Sequence, residues 1–427
     1  MITLLCLALL GQAPQFKSGV ERILVDVQVI DNQGRPIPAL RPEDFQVRVD
    51  QQPRTVASAE FIRAAAIDSA AGGAVLPNGA PAPPASDAAS PGGRDFILAI
   101  DESSFVTHYA PAAVRAARGF VERLAPADRV GLYLYPLSKQ SFSLTPDHGA
   151  VLKELDRVVG TLDPPVSQFH LSKSEVIDIE AGDPDAMNRV LARECPPRDR
   201  AMCRETLIAE AHSMATIFEG QVAQSMGGLR TLFNALRQDP NRKTVVIVSG
   251  GLLAADRIGA RPDVSGIIST VGEAAARAGA TIYVLHLDSS FLEAFSAANG
   301  NAVRPSLMRD QSASAGGLER LAGTAGGTLL RVEPGSEDRA FQRILRETSA
   351  YYLLGVEPLD RDRDGRPHSI SVKVKVHGAE VRARSSVVVP KPQGGSEDLI
   401  YERTSRYFSA PPVLNSTIVS DGLTTPR

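Results

Sequence analysis

Residues 94–105 read RDFILAIDESSF, and this stretch decides the fold. Phe96 to Ile100 is a continuous apolar run, too short for a buried helix and without the alternation of a half-wet strand. Such a run predicts a strand covered on both faces. It ends in Asp101, Glu102, Ser103 and Ser104, so polar groups follow the carboxyl end of the strand, where open parallel sheets place their ligands. Working outward, the same grammar recurs at Val130 to Tyr135, Thr244 to Val248, Thr281 to Leu287 and Thr328 to Val332. Between these runs lie Ala113 to Leu124, Gly149 to Val159, Leu229 to Leu236, Val264 to Ala278 and Ser314 to Ala322, with apolar residues three to four apart as in amphipathic helices. The pattern predicts a doubly wound α/β domain over 94–348 with a mostly parallel sheet. Residues 161–226 are too long for a strand-to-helix connection, and they are expected to form an inserted helical subdomain with helices near Asp185 to Glu194 and Arg204 to Gln221.

On either side the period changes to two. Ile23 to Ile30 and Phe45 to Val49 alternate around a turn at Asp31 to Gly34, which marks an N-terminal β segment over 20–64. After the α/β domain, Tyr351 to Val356, Ser369 to His377 and Glu380 to Val389 form a C-terminal β segment over 349–390. The acidic turn from Asp360 to Gly365 lacks the distant Glu of a calcium loop and carries interleaved arginines, so it is expected to be a solvated hairpin turn. Two isolated β segments share one solution: they pair into a small antiparallel β-sandwich with the α/β domain inserted between them. Residues 65–93, rich in Ala, Pro, Gly and Ser, suit a flexible linker, and 391–427 a disordered tail.

The chain has 427 residues, 46 Lys plus Arg against 49 Asp plus Glu, and no Trp, so a large core is affordable while global attraction to nucleic acid is not expected. Residues 1–19 resemble a signal peptide and leader. The run MITLLCLALLGQA is too short to span a membrane and ends in small residues suited to cleavage near Ala13, although a basic n-region is missing and a buried first element is the alternative. A secreted or periplasmic location with no transmembrane span after leader removal follows from that reading. In an oxidising compartment the simplest use of Cys195 and Cys203 is a disulfide; two free thiols are the alternative. No His or second Cys pair stands at zinc-ligand spacing around them.

DFILAIDESSF, ADRVGLYLYPLSKQSFSLTPD, GGLRTLFNAL, KTVVIVSGG, GATIYVLHLD and LAGTAGGTLLRV, in that order, resemble the von Willebrand factor type A fold. With VDVQVIDNQGRPIPALRPEDFQVRVD before and SAYYLLGVEP after, the chain looks like the secreted proteins of acidobacterial type related to that family. The resemblance implies a metal-ion-dependent adhesion site holding Mg²⁺ or Mn²⁺ through hard oxygen ligands, with one position left for a partner's carboxylate. Asp101 and Ser103 match the first two positions of its DxSxS motif, and Phe105 replaces the third hydroxyl. Arg230 aligns with the ligand threonine, with Thr231 beside it, and Gly250 stands where a second carboxylate belongs; neither Ser249 nor Gly251 supplies that charge. The resemblance therefore implies a degenerate site. Asp101, Ser103 and Thr231 are its candidate ligands, Ser104, Phe105, Arg230, Ser249 and Gly250 its candidate binding rim, and Arg230 a candidate ion-pair partner for Asp101 or for an incoming carboxylate.

No nucleophile elbow, zinc-protease motif, phosphate loop or dinucleotide fingerprint is present. The implied function is a non-catalytic, adhesion-type protein-interaction module, with its protein partner unspecified and no cofactor required. Two alternatives are an enzyme with its site at the carboxyl-end rim and a metal-dependent binder drawing ligands such as Glu175, Asp178 or Glu180 from the insertion.

Overall fold

The computed structural model describes residues 22–64, 93–136, 143–239, 241–257, 259–288, 306–332, 337–384 and 386–391. The leader lies outside these residues, as do all of the linker but Gly93 and, of the tail, all but Lys391. The fold is mixed α/β, with one five-stranded parallel sheet and two four-stranded antiparallel sheets.

The parallel sheet is built from β5 (Asp95–Asp101), β6 (Arg129–Tyr135), β7 (Lys243–Ser249), β8 (Ala280–Leu287) and β9 (Thr328–Val332), in the spatial order β6-β5-β7-β8-β9. Alternate residues of β5 face opposite ways. Ile97 and Ala99 enter one core with α5 (Arg200–Leu236), α6 (Ser265–Arg277) and α7 (Leu307–Thr324); Phe96, Leu98 and Ile100 enter the other with α1 (Ala110–Val121), α2 (His148–Glu154) and α8 (Glu337–Glu347). Both faces being covered is why these strands read as unbroken apolar runs. Chain direction across the sheet reverses between β5 and β7, so the topological switch point lies at the carboxyl ends of these two strands. Beyond β6, Thr145 exchanges two backbone hydrogen bonds with Val130 in antiparallel sense, at 2.9 and 3.0 Å.

The insertion folds as α3 (Lys173–Glu180) and α4 (Pro184–Glu194) against the first half of α5. Ser172 and Glu175 form a reciprocal capping box that starts α3, and Asp183 accepts from two backbone N–H groups to start α4. The expected break between the insertion and the next α/β helix is absent: α5 runs unbroken for 37 residues. Gly227-Gly228 does not end it, because Gly228 is where the helix meets β6. A Cβ there would come within 3.0 Å of Pro136 Cα, and the Gly228 carbonyl accepts the Tyr133 hydroxyl at 3.0 Å. Cys195 and Cys203 form a disulfide across the α4–α5 turn.

The two antiparallel sheets enclose one apolar core that includes Val25, Val27, Val47, Tyr352, Leu354 and Ile370. In one sheet β1 (Ile23–Ile30) lies between β10 (Ala350–Val356) and β12 (Glu380–Ala383), with β4 (Val56–Arg63) on the outer edge of β10. In the other β11 (Pro367–Val374) lies between β13 (Ser386–Val388) and β2 (Phe45–Val49), followed by β3 (Gln52–Arg54). The stretch expected as one strand from Glu380 to Val389 is thus two short strands, one in each sheet. The turn from Asp360 to Gly365 is largely exposed, with one exception: Asp362 is 1% exposed and accepts two hydrogen bonds from Arg54, at 2.7 and 2.8 Å. The Tyr283 hydroxyl on β8 donates to Gln28 Oε1 on β1 at 3.0 Å, and Arg382 pairs with the buried Glu347, which fixes the sandwich to the α/β layer.

Candidate functional site

The carboxyl ends of β5 and β7 converge on Asp101, which is 2% exposed. Ser103 Oγ donates to Asp101 Oδ1 at 2.6 Å and Ser225 Oγ to Oδ2 at 2.9 Å, while Ser249 Oγ stands 3.5 Å from Oδ2. Burial pushes the Asp101 carboxyl up to about 6, against the hydroxyl bonds from the same serines, which pull it down. Tyr135, at the end of β6, is fully buried beside Ser225; burial first and the charge of Asp101 second hold its phenol well above the usual range. Serine hydroxyls and the Ser103 backbone N–H are the groups that act on this acid.

Ser104 stitches the two strand ends together. Its hydroxyl donates to the Asp101 carbonyl at 2.7 Å and accepts from the Gly250 N–H at 2.8 Å. Phe105 turns inward to 2% exposure and fills the space next to Gly250. A Cβ on Gly250 would lie 2.4 Å from the Ser104 carbonyl oxygen and 3.1 Å from the Phe105 ring. The Phe105 ring and the Ser104 backbone together occupy the volume that a side chain at position 250 would need.

Arg230 and Thr231 do not reach the site. Both are exposed on α5, and the Thr231 hydroxyl donates to the Gly227 carbonyl at 3.1 Å. Because α5 is already helical from Arg200, its phase is fixed long before Gly227, and the inward position is Ser225. Thr231 lies six residues on, about 9 Å along the axis and roughly 240° around it. The expectations that Thr231 is a ligand and that Arg230 pairs with Asp101 are corrected accordingly. Ser225 escaped sequence reasoning because a motif offset placed the hydroxyl after the glycine pair; the buried stripe Val222, Ser225, Met226, Leu229 is the signal that identifies it.

His286, paired in register with Ser249, was also missed. It is 1% exposed, its Nε2 is 3.3 Å from the Gly250 carbonyl, and burial keeps its imidazole below the usual histidine range. Among the described residues its Nδ1 has no hydrogen-bond partner.

The insertion's acids are spoken for. Glu175 binds Arg193 at 2.7 Å, Asp178 binds Arg257 at 2.9 Å and also Arg309, and Glu180 binds Arg261 at 3.1 Å. Each is already paired with a guanidinium group, which argues against their use as a ligand set. Among the described residues no three His, Cys, Asp or Glu side chains gather at metal-binding distance. The donor set at Asp101, one carboxyl whose two oxygens already receive serine hydroxyls, does not fit a hydrated divalent cation.

Comparison with known proteins leaves the family open. No family model matches the chain. No curated protein matches it either. Among solved structures it is similar to proximal thread matrix protein 1 from the mussel byssus, at 11% identity and a TM-score of 0.25, over 60% of this chain and 45% of that one. The chain thus spans under half the length of that protein, and the likeness carries no argument about function.

Proposed function

We propose that the chain is a non-catalytic, secreted or periplasmic protein-interaction module of the von Willebrand factor type A kind, whose rim works without a metal ion. The observation that carries this reading is the coupled closure at the switch point: Phe105 and the Ser104 carbonyl stand where a second carboxylate would project from position 250. The antiparallel bridge at Thr145 beside β6 and the sheet order agree with the resemblance in the sequence. The Cys195–Cys203 disulfide fits an oxidising compartment. Among the described residues no helix is long and apolar enough to cross a membrane.

With Asp101 and His286 both almost fully buried, an incoming acidic side chain has no route to Asp101, and the carboxyl serves to tie β5, β7 and α5 together. The test is thermal unfolding of the purified chain in chelator and then with Mg²⁺, Mn²⁺ or Ca²⁺ added, because a ligand specific to the folded state raises its stability. The reading expects the same transition in every condition. A saturable upward shift that Asp101→Ala abolishes would overturn it.

A further inference from the structure

If the rim is closed, a binding face has to lie elsewhere, and the tip of the insertion has the chemistry for one. Residues 189–204, RVLARECPPRDRAMCR, hold five arginines and two acids, in a chain whose formal net charge is −3. Arg193 is taken by Glu175 and Glu194, and Arg198 lies 3.4 Å from Asp199. Arg189, Arg200 and Arg204 are exposed, and among the described residues they make no ion pair. Arg200 and Arg204 stand one turn apart on the same face of α5, where like charges repel. Ile208, 39% exposed, continues that face, whereas Met202, two residues on from Arg200, lies on the opposite side of the helix.

We propose that this tip is the docking surface for an acidic protein partner, with Arg200 and Arg204 as its centre; the proposal rests on reading the chain as an interaction module. Paired guanidinium forks match carboxylates bidentately, so an acidic side chain placed between them relieves their repulsion. Arginine is enriched at protein interfaces and lysine is depleted, and the tip has the first and none of the second. It has no aromatic residue on which a nucleic-acid base would stack, and with Arg193 and Arg198 paired to acids it offers three arginines free of ion pairs among the described residues, fewer than the four to eight clustered cations that hold an anionic bilayer. The Cys195–Cys203 disulfide and the Pro196-Pro197 pair pre-order the turn, so little freedom is lost on docking.

A fluorescent ten-residue polyglutamate peptide is titrated with the full chain at an ionic strength of about 0.15 M, where long-range attraction is screened. We expect saturable binding that is unchanged by chelator, at least tenfold weaker in Arg200→Ala/Arg204→Ala, and unchanged in Arg237→Ala/Arg339→Ala, which removes two exposed arginines elsewhere. The melting temperature of each variant is measured alongside, and these surface changes leave it in place. No saturable binding by the unaltered chain, equal loss in the two double variants, or tighter binding to phosphatidylserine vesicles or single-stranded RNA than to the peptide would overturn the proposal. The metal titration reads the rim and not the tip, so either result can fail while the other stands.

Discussion

Two buried aspartates in this molecule live under opposite electrostatics. At the sandwich corner Asp362 meets Arg54, each side chain 1% exposed, and the Arg54 hydrogen bonds hold the carboxyl below its ordinary range. At the switch point Asp101 meets serine hydroxyls and the Ser103 backbone N–H, and burial raises its carboxyl to about 6. The first acid is ionised and tied to its partner. The second is a carboxyl that the fold tolerates most easily when protonated. A hydroxyl cage satisfies hydrogen bonds without supplying charge, which is its physical difference from an ion pair.

The largest expected effect lies at the corner. Arg54→Ala leaves Asp362 buried and unpaired, which costs about 3–5 kcal/mol in urea unfolding at neutral pH. Replacing the pair together, as Arg54→Met/Asp362→Leu, is expected to recover most of that loss; if it does not, the corner depends on more than its charges.

At the switch point the sign reverses. A folded-state carboxyl titrating near 6, against 3.8 when unfolded, means the folded chain holds an extra proton between those values, so stability falls as pH rises through that window. Asp101→Asn removes the dependence. Relative to the unaltered chain the variant gains up to about 3 kcal/mol above pH 7 and little or nothing below pH 4. Urea unfolding at the two ends of the range reads the difference directly.

A carboxylate placed at position 250 is expected to have the next largest effect. Gly250→Asp introduces a Cβ within 2.4 Å of the Ser104 carbonyl, so it lowers the melting temperature, by an amount matching a loss of about 1–3 kcal/mol, without creating response to Mg²⁺. Calorimetry with and without the ion separates the two outcomes.

The smallest effect is again in the sandwich, where His368 lies between Asp50 at 2.7 Å and Asp364 at 3.0 Å. The Asp50 hydrogen bond first, with Asp364 behind it, raises the imidazole above its ordinary 6.5. Its stabilisation is therefore complete below pH 6.5 and fades as pH rises through the higher folded-state value. Because both aspartates are substantially exposed, His368→Gln costs less than about 1 kcal/mol at pH 6 and nothing measurable at pH 9.

How much of this was legible in the chain depends on sequence distance. The run Phe96 to Ile100 announces a doubly covered strand because both cores lie against it, and β5 observed as Asp95–Asp101 adds only its polar ends. Ser103 lies two residues from Asp101, so a local motif finds their contact. Ser225 is 124 positions away and Arg54 is 308 from Asp362, and no local pattern encodes either pairing. Helix phase, set where α5 begins, chose Ser225 over Thr231. Within a turn that stays largely at the surface, Asp362 alone goes inside, because β3 delivers a guanidinium to meet it.

The most direct measurement is the titration of the Asp101 carboxyl by carbon-13 NMR in aspartate-labelled protein, assigned with Asp101→Asn, with and without Mg²⁺. The account predicts a midpoint near 6 that Mg²⁺ leaves unmoved. A midpoint at or below the ordinary 3.8, or one that drops when the ion is added, would show that a positive charge belongs at the rim and would contradict it.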